Sequence, residues 1–322
     1  MKVGILGAGA IALKMAETIA KMEGVENYAV GSRSGEKARA FAKAHGIKKA
    51  YASYEELLSD SDVDLVYIAT PHSHHHEWTI KALKAGRNVL CEKAFAANAK
   101  QAEEMIKLAG EKKLLLAEAI WTRYMPSRKI IDDLIKAGEI GEVDCVDSNL
   151  GYCIDGKERL MKPELAGGCL LDLTVYCLNF SSMILGDRIK KIDARMIPTD
   201  TGVDGKSTVM LTYEDGKMAS MFSTLYARTD RRGLITGRKG YIVVENINNP
   251  EKISVYDGEG KLKKEILPPP QISGYEYEVL ACKKALEEGK TECPQMPHAE
   301  TLEIMRQMDS IRSQFGIKFP FE

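Results

Sequence analysis

The stretch from Lys2 to Lys21 restricts the fold more than any other. Lys2-Val3-Gly4-Ile5-Leu6 is an apolar strand, and Gly7-Ala8-Gly9-Ala10-Ile11-Ala12 follows it at once. Leu13 to Lys21 then continues as a helix with Met15, Ile19 and Met22 on one side. Strand, glycine turn and helix in immediate succession are the context that the G-x-G-x-x-A dinucleotide fingerprint requires. Each position has its own reason. Gly7 permits the tight turn, and Gly9 keeps a side chain out of the path of a pyrophosphate. Ala12 lets the helix lie close to the strand. Ala10 and Ile11 open the helix, whose free N–H groups and partial positive charge suit phosphates. The competing reading is a glycine loop that merely connects.

The next segments extend this unit. A second strand, Asn27 to Gly31, runs into Ser32-Arg33-Ser34. An acid usually stands here to hold the ribose hydroxyls of NAD. An arginine flanked by two hydroxyls suits a 2′-phosphate instead, so Ser32 and Arg33 point to NADP, with NAD as the alternative. The other reading of Arg33 is a solvated loop residue. A helix over Glu36–Ala44 leads to Tyr51, and Ser53 with Glu56 forms a capping box for a short helix. The strand Asp64–Ala69 ends in Thr70-Pro71-His72-Ser73-His74-His75-His76, which holds four of the six histidines. Zinc sites want spaced ligands with cysteine or carboxylate partners, and this run has neither, so no metal is expected. Open α/β sheets bind ligands at the carboxyl ends of their strands. Thr70, Pro71, His72 and His75 are therefore expected to border the nicotinamide or substrate, with His74 and His76 facing solvent.

A helix through Leu83 and Gly86 returns to the strand Asn88–Cys91 and to Glu92-Lys93. A lysine at the mouth of a buried strand is poorly solvated, so it is either paired or chemically useful. Glu92 and Lys93 complete the expected cofactor set. A helix over Asn98–Glu111 and a strand over Leu114–Glu118 close the alternation, which predicts a Rossmann-type, doubly wound parallel sheet over residues 1–120.

Residues 121–322 have a different rhythm. Trp121-Thr122-Arg123-Tyr124 comes first. Trp121 either walls an apolar pocket or is core, and Trp121 and Arg123 are the candidate substrate contacts beside Tyr176. A helix over Ser127–Lys136 precedes a strand over Val143–Gly151. Gly167-Gly168 leads into a helix over Asp172–Leu185, which puts Asp172 and Tyr176 four apart on one face. Six strands follow, around Lys190–Met196, Ser207–Tyr213, Met218–Leu225, Arg231–Thr236, Gly240–Glu245 and Ile253–Tyr256. Helices near Gly274–Glu288 and Ala299–Gly316 finish the chain. The class is thus α/β: a Rossmann domain followed by an α+β domain with a large, open-faced, mostly antiparallel sheet. Val209, Leu211, Met221, Phe222 and Leu225 are assigned to the open face, so a homodimer through that face is expected.

Composition narrows the partners. The formal net charge is −1, whereas nucleic acid and anionic membranes both select a basic excess. No apolar run approaches ~20 residues, and the N-terminus shows no basic-plus-apolar leader. The seven cysteines form no C-x-x-C pair and are expected as reduced thiols in a cytoplasmic protein. A small-molecule substrate is the expected partner. Lys93, Asp172 and Tyr176 together look like a proton-transfer set beside a hydride carrier. The plainer reading is a structural ion pair and ordinary packing.

Several of these motifs together resemble the glucose–fructose oxidoreductase/inositol dehydrogenase/MocA family. They are Gly7–Ala12, Ala69-Thr70-Pro71 with His75, the run Ala85–Lys93, the run Gly138–Val143, and Gly167-Gly168 before Leu171-Asp172. The run Glu118–Tyr124 and the tyrosine at 176 look like the dimeric dihydrodiol dehydrogenase and NADP-linked D-xylose dehydrogenase branch. Sugar and inositol members usually carry histidine at 176. Three departures stand out. Ala94 replaces the usual proline after Lys93, Thr174 replaces a glycine and would narrow the site between Asp172 and Tyr176, and Asn179 replaces an aspartate common in sugar members.

The resemblance implies NAD(P)-linked oxidation of a secondary alcohol or hemiacetal carbon, in a trans-dihydrodiol or an aldose. Removing the hydroxyl proton as hydride leaves needs a base. A free tyrosine, with a pKa near ~10, is too weakly ionised for this at neutral pH, and a neighbouring ammonium lowers it. Tyr176 is then the acid/base, Lys93 its electrostatic partner, and Asp172 the group that orients Lys93 or the substrate. The alternatives are a sugar, inositol or anhydro-ketose dehydrogenase or reductase, and a cofactor-sensing regulator that has lost turnover.

Overall fold

The structure is a computed structural model describing residues 1–322. The chain divides into two compact units, Met1–Trp121 with Gln271–Leu302, and Thr122–Pro270 with Glu303–Glu322.

In the first unit, six strands form one parallel sheet: β1 (Lys2–Leu6), β2 (Glu26–Gly31), β3 (Lys49–Tyr51), β4 (Leu65–Ile68), β5 (Asn88–Glu92) and β6 (Leu116–Ala119). Their order is β3-β2-β1-β4-β5-β6, the doubly wound arrangement whose switch point lies between β1 and β4. Helices α1 (Ala10–Ile19), α2 (Gly35–His45), α3 (Tyr54–Ser59), α4 (His75–Lys84) and α5 (Ala99–Lys112) connect the strands. Every residue of β4 and β6 is buried, as expected where helices cover both faces. Local signals set the helix starts. Ser53 Oγ accepts the Glu56 N–H at 3.1 Å, and the Glu56 carboxylate accepts the Ala52 N–H at 3.0 Å. The reciprocal half of this capping box thus lands one residue before the cap.

The second unit holds α6 (Pro126–Lys136), α7 (Val175–Leu185, preceded without a break by a π-helical turn, Leu170–Thr174) and an eight-stranded sheet. The strands are β7 (Val143–Gly151), β8 (Ile189–Pro198), β9 (Asp204–Tyr213), β10 (Met218–Thr224), β11 (Gly233–Gly237), β12 (Gly240–Glu245), β13 (Lys252–Asp257) and β14 (Leu262–Ile266). Their order is β14-β13-β12-β11-β7-β10-β9-β8, and only the β7–β10 pair is parallel. The sequence reading missed β14 because Leu-Lys-Lys-Glu-Ile has almost no apolar pattern. As an edge strand it needs charge rather than a hydrophobic face.

Two expectations need correction. The stretch Pro163–Leu185, a 3-10 turn and a longer helical run separated at Ala166–Gly168, is long and apolar enough to span a membrane by length and composition, and 78% of its most apolar window is buried inside the protein. Its length escaped the sequence reading because Gly167-Gly168 and Asp172 break the apolar run. Second, Val209, Leu211, Met221 and Leu225 are not on an open face. All are buried, on the side where the Leu170–Leu185 helical run packs against β7, β9 and β10. Strand alternation turns their neighbours outward. The outer side carries Met210, Met218 and Phe222, at 43%, 40% and 38% exposure, mixed with polar residues such as the Asp147–Ser220 pair.

The helix α8 (Glu276–Glu287) and the residues around it belong with the parallel sheet. Thr18 Oγ1 and Ser273 Oγ lie 2.7 Å apart, and His298 Nε2 reaches the Leu116 carbonyl at 2.7 Å. The alternation of strands and helices in the sequence implies one boundary near residue 120. The contacts of Gln271–Leu302 bring a later segment back to the first unit.

Candidate active site

The fingerprint turn has the geometry its sequence requires. Gly7 has φ +119, and a Cβ there would lie 2.8 Å from the Ala69 carbonyl oxygen at the end of β4. Only glycine fits, because both conformation and space exclude a side chain. A Cβ on Gly9 would meet nothing within 4 Å, so backbone is open to an approaching group there. Ala10 and Ile11 begin α1, which has no side-chain cap and no acid in its first turn. Its leading N–H groups and dipole therefore favour an anion. Ala12 is fully buried. These residues fit a dinucleotide phosphate.

At the end of β2, Ser32 is buried and its Oγ accepts the Ser34 N–H at 3.3 Å. Ser34 in turn caps α2. Arg33 is exposed, and its guanidinium acts on two neighbours. Burial raises the Tyr54 phenol and Arg33 pulls it back down. Burial lowers the His74 imidazole and Arg33 lowers it further. Arg33, Ser32 and Ser34 thus make a cationic, hydroxyl-bearing corner with no carboxylate in its sequence. His74 and His76 are half-buried rather than free in solvent. His74 Nδ1 lies 2.9 Å from Ser73 Oγ, and His76 Nε2 lies 2.9 Å from Glu104.

Beyond β4, Thr70 and Pro71 are half-buried while His72 and His75 are buried, their rings edge-to-face at 5.7 Å. His75 is a staple. Its Nδ1 lies 2.8 Å from the Ala94 carbonyl and its Nε2 2.9 Å from the Thr70 carbonyl. A neutral ring can donate only one of these bonds. His75 thereby joins the β4 loop to the turn that follows Lys93. The Lys93–Ala94 peptide is cis.

Glu92 ends β5, buried. It accepts from the Tyr67 hydroxyl and, at 3.2 Å, from the Lys93 N–H. Behind it lies a group the sequence did not reveal. Glu278, on α8, is fully buried, and neither of its carboxyl oxygens has a hydrogen-bonding partner. Burial drives its acid group well above the ordinary carboxylate range, and Glu92, Cys293 and Glu118 raise it further. Burial without a partner thus favours the neutral form of Glu278. Trp121 is buried and stacks on Tyr275 at 4.2 Å with rings nearly parallel.

The fold gathers Gly7, Gly9, Ala10, Ile11, Ser32, Arg33, Thr70, Pro71, His72, His75, Glu92 and Lys93 at the carboxyl ends of β1, β2, β4 and β5, all in the first unit. Arg123, Asp172 and Tyr176 belong to the second. There Asp172 and Tyr176 are buried on one helical run, Asp172 in the π-helical turn and Tyr176 in the first turn of α7. Arg159 donates to Asp172 Oδ1 at 3.0 Å. No local pattern marks this partner, which lies in the loop between β7 and the Leu170–Leu185 run. Arg123 is buried, with Nε on Asn179 Oδ1 at 2.8 Å and Nη2 on Ser182 Oγ at 3.2 Å. Asn179 thus engages an arginine from the segment before α6. Thr174 does not narrow the space between Asp172 and Tyr176. Its hydroxyl lies 3.2 Å from Ser207 Oγ on β9, so it faces the sheet.

Comparison with known proteins agrees with this architecture. Residues 1–119 match the family described as "Oxidoreductase family, NAD-binding Rossmann fold", and residues 129–243 match the GFO/IDH/MocA C-terminal domain. Trans-1,2-dihydrobenzene-1,2-diol dehydrogenase of Xenopus tropicalis is 33% identical over 330 residues, covering 99% of each chain. The mouse (Mus musculus) enzyme of that name is 32% identical over 328 residues, covering 98% of this chain and 97% of its own. Among solved structures, a 3-ketoreductase from Actinomadura kijaniata in complex with NADP and TDP-benzene superposes with a TM-score of 0.88 at 22% identity, covering 97% of both chains. An aldose-aldose oxidoreductase from Caulobacter crescentus, complexed with glycerol, gives 0.86 at 22% identity, covering 97% of this chain and 96% of its own. At such identities the structures speak for the fold, while the sequence relatives speak for descent. The chain is an oxidoreductase with an NAD(P)-binding Rossmann domain, and it belongs to the GFO/IDH/MocA family.

Proposed function

We propose that this protein is an NADP-linked dehydrogenase that moves hydride between the nicotinamide and a secondary alcohol or hemiacetal carbon of a trans-dihydrodiol or an aldose. The observation that carries the reading is the buried Tyr176, one helical turn after a buried Asp172 that is itself ion-paired to Arg159. A phenol in that setting is a proton-transfer group. The full-length relatives named as dihydrobenzenediol dehydrogenases support the substrate class. The Arg33 corner supports NADP over NAD.

In this reading a bound nicotinamide supplies the hydride acceptor, and the chain's own residues do the rest. Tyr176 takes the hydroxyl proton during oxidation and returns it during reduction. Lys93 is assigned the cationic role that the family resemblance implies for it. Asp172, fixed by Arg159, orients the donors. Trp121 and Arg123 shape the substrate side, Trp121 through its ring and Arg123 by holding Asn179. Thr70, Pro71, His72, His75 and Glu92 hold the strand-end loops against the cofactor. We also infer that a second copy covers the outer side of β8–β10, and that the thiols keep their reduced form in the cytoplasm.

Reduced-nicotinamide absorbance, followed with NADP and NAD separately against trans-dihydrodiols, aldoses and polyols, tests the reading. Turnover with NADP on diols or aldoses is expected. Polyols or anhydro-ketoses as the sole substrates would move it to the sugar and inositol class. Tight cofactor binding without turnover on any substrate would favour a regulator.

A further inference from the structure

Asp204 opens β9 and is almost fully buried. Its side chain reaches the start of the helical run that carries Asp172 and Tyr176. The Leu170 N–H donates to Asp204 Oδ2 at 2.6 Å. The first N–H groups of a helix have no acceptor within it. Here the usual local solution is missing, because Gly167 and Gly168 precede the turn and Cys169 provides no side-chain cap. The cap comes instead from a strand 34 residues away in sequence.

The approach is close enough to dictate the glycines. Gly168 has φ +110, and a Cβ there would overlap Asp204 Oδ1. A Cβ on Gly167 would sit 2.5 Å from the Leu160 carbonyl oxygen. One turn further on, the Thr174–Ser207 contact at 3.2 Å ties the same helix to the same strand. β9 therefore grips this helix at two points, Asp204 and Ser207, on either side of Asp172.

We propose that Asp204 is a positioning residue for the reaction: by capping the turn at Leu170 from β9, it fixes the orientation of Asp172 and Tyr176. The inference rests on the reading of Asp172 and Tyr176 as the proton-transfer set. Displacing a reacting group by about 1 Å costs on the order of 10²-fold in rate, so the effect belongs in kcat. It leaves cofactor affinity alone, because the nucleotide residues belong to the other unit.

The test uses the full-length protein and three variants, Asp204→Ala, Asp204→Asn and Gly168→Ala. For each, kcat, substrate KM and the affinity for reduced cofactor by fluorescence titration are measured, with a thermal melt to confirm folding. Asp204→Ala is expected to lower kcat by about 10²-fold with cofactor affinity unchanged. Asp204→Asn keeps an acceptor oxygen and is expected to stay within about fivefold of the parent, the scale of one weakened hydrogen bond. Gly168→Ala, which pushes Asp204 away, is expected to repeat the loss in kcat.

Parent-like kcat in folded Asp204→Ala overturns the proposal, as does a loss shared equally between kcat and cofactor affinity. If Asp204→Ala does not fold, the contrast between Asp204→Asn and Gly168→Ala decides, and equal kcat in those two overturns it. Tyr176→Phe is run alongside. Undiminished turnover there defeats the reading of the site itself, whatever the Asp204 variants do.

Discussion

In the proposed function, coenzyme choice turns on one side chain, Arg33. It stands where an acid would hold the ribose diol, and its field reaches Tyr54 and His74 across the corner. Hydrogen bonds to charged groups contribute about 1.5–3 kcal/mol. Arg33→Ala is therefore expected to raise KM for NADP by about 10- to 100-fold and to leave KM for NAD nearly unchanged, as read from initial rates with each coenzyme. Equal changes for both would show that Arg33 is only a surface residue. Arg33 was legible in the sequence because its place is fixed by the strand before it. Arg159, Asp204 and Glu278 were not. Each matters through a partner that the fold, not the local sequence, brings to it: Asp172, the Leu170 N–H, and the Glu92 cluster.

At the scale of elements, pattern and function part company in places that have physical causes. β7 and β12 were readable to the residue because each is a β-branched, apolar-bearing run bounded by glycine, Val143–Gly151 and Gly240–Glu245. β14 was not, because an edge strand made of lysines and a glutamate has no buried face. The buried face of β9 and β10 was assigned to the wrong side, since period two marks which residues share a side but not which side a helix covers.

The Leu170–Leu185 run also carries a pH signature through its remote cap. Burial pushes the Asp204 carboxyl up to about 7, against the pull of the N–H groups of Leu170, Asp204 itself and Cys169. The folded protein thus keeps a proton that the unfolded chain releases near ~3.9. The resulting stabilisation is complete below that value and is lost as pH rises through about 7. The melting temperature of the parent is therefore expected to fall more between pH 5 and pH 8 than that of Asp204→Asn, which has no proton to lose. The difference should reach a few degrees, taking ~2 °C per kcal/mol, the lower end of the range for somewhat shorter chains. Parallel melting curves across that range would contradict the assignment. Glu278 and the other buried acids are common to both proteins and cancel in the comparison.

For the whole molecule, the chain pairs an ordinary nucleotide-binding sheet with a second sheet of eight strands, one side of which is packed by helix. Met210, Met218 and Phe222 leave an apolar set on the other side. A second copy seated there would give a particle of about twice the 35.6 kDa chain mass. Phe222→Glu is expected to convert it to the single-chain mass in sedimentation, and a parent that already sediments as a single chain would end that reading. Overall organisation was the most legible level of all, because the alternation of strand and helix to residue 120 admits few topologies. Less legible was the return of Gln271–Leu302 to the first unit, which brings Tyr275 to Trp121 and Glu278 to Glu92.

If Tyr176 moves the proton in an NADP-linked oxidation, as proposed, the turnover of Tyr176→Phe reveals it. Nicotinamide absorbance gives kcat, and fluorescence titration gives the cofactor Kd on the same preparation. General acid–base groups typically contribute about 10²- to 10⁴-fold. A loss of that size in kcat, with an unchanged Kd for NADP, is the expected result. A Tyr176→Phe protein that binds NADP and turns over at the parent rate would contradict it.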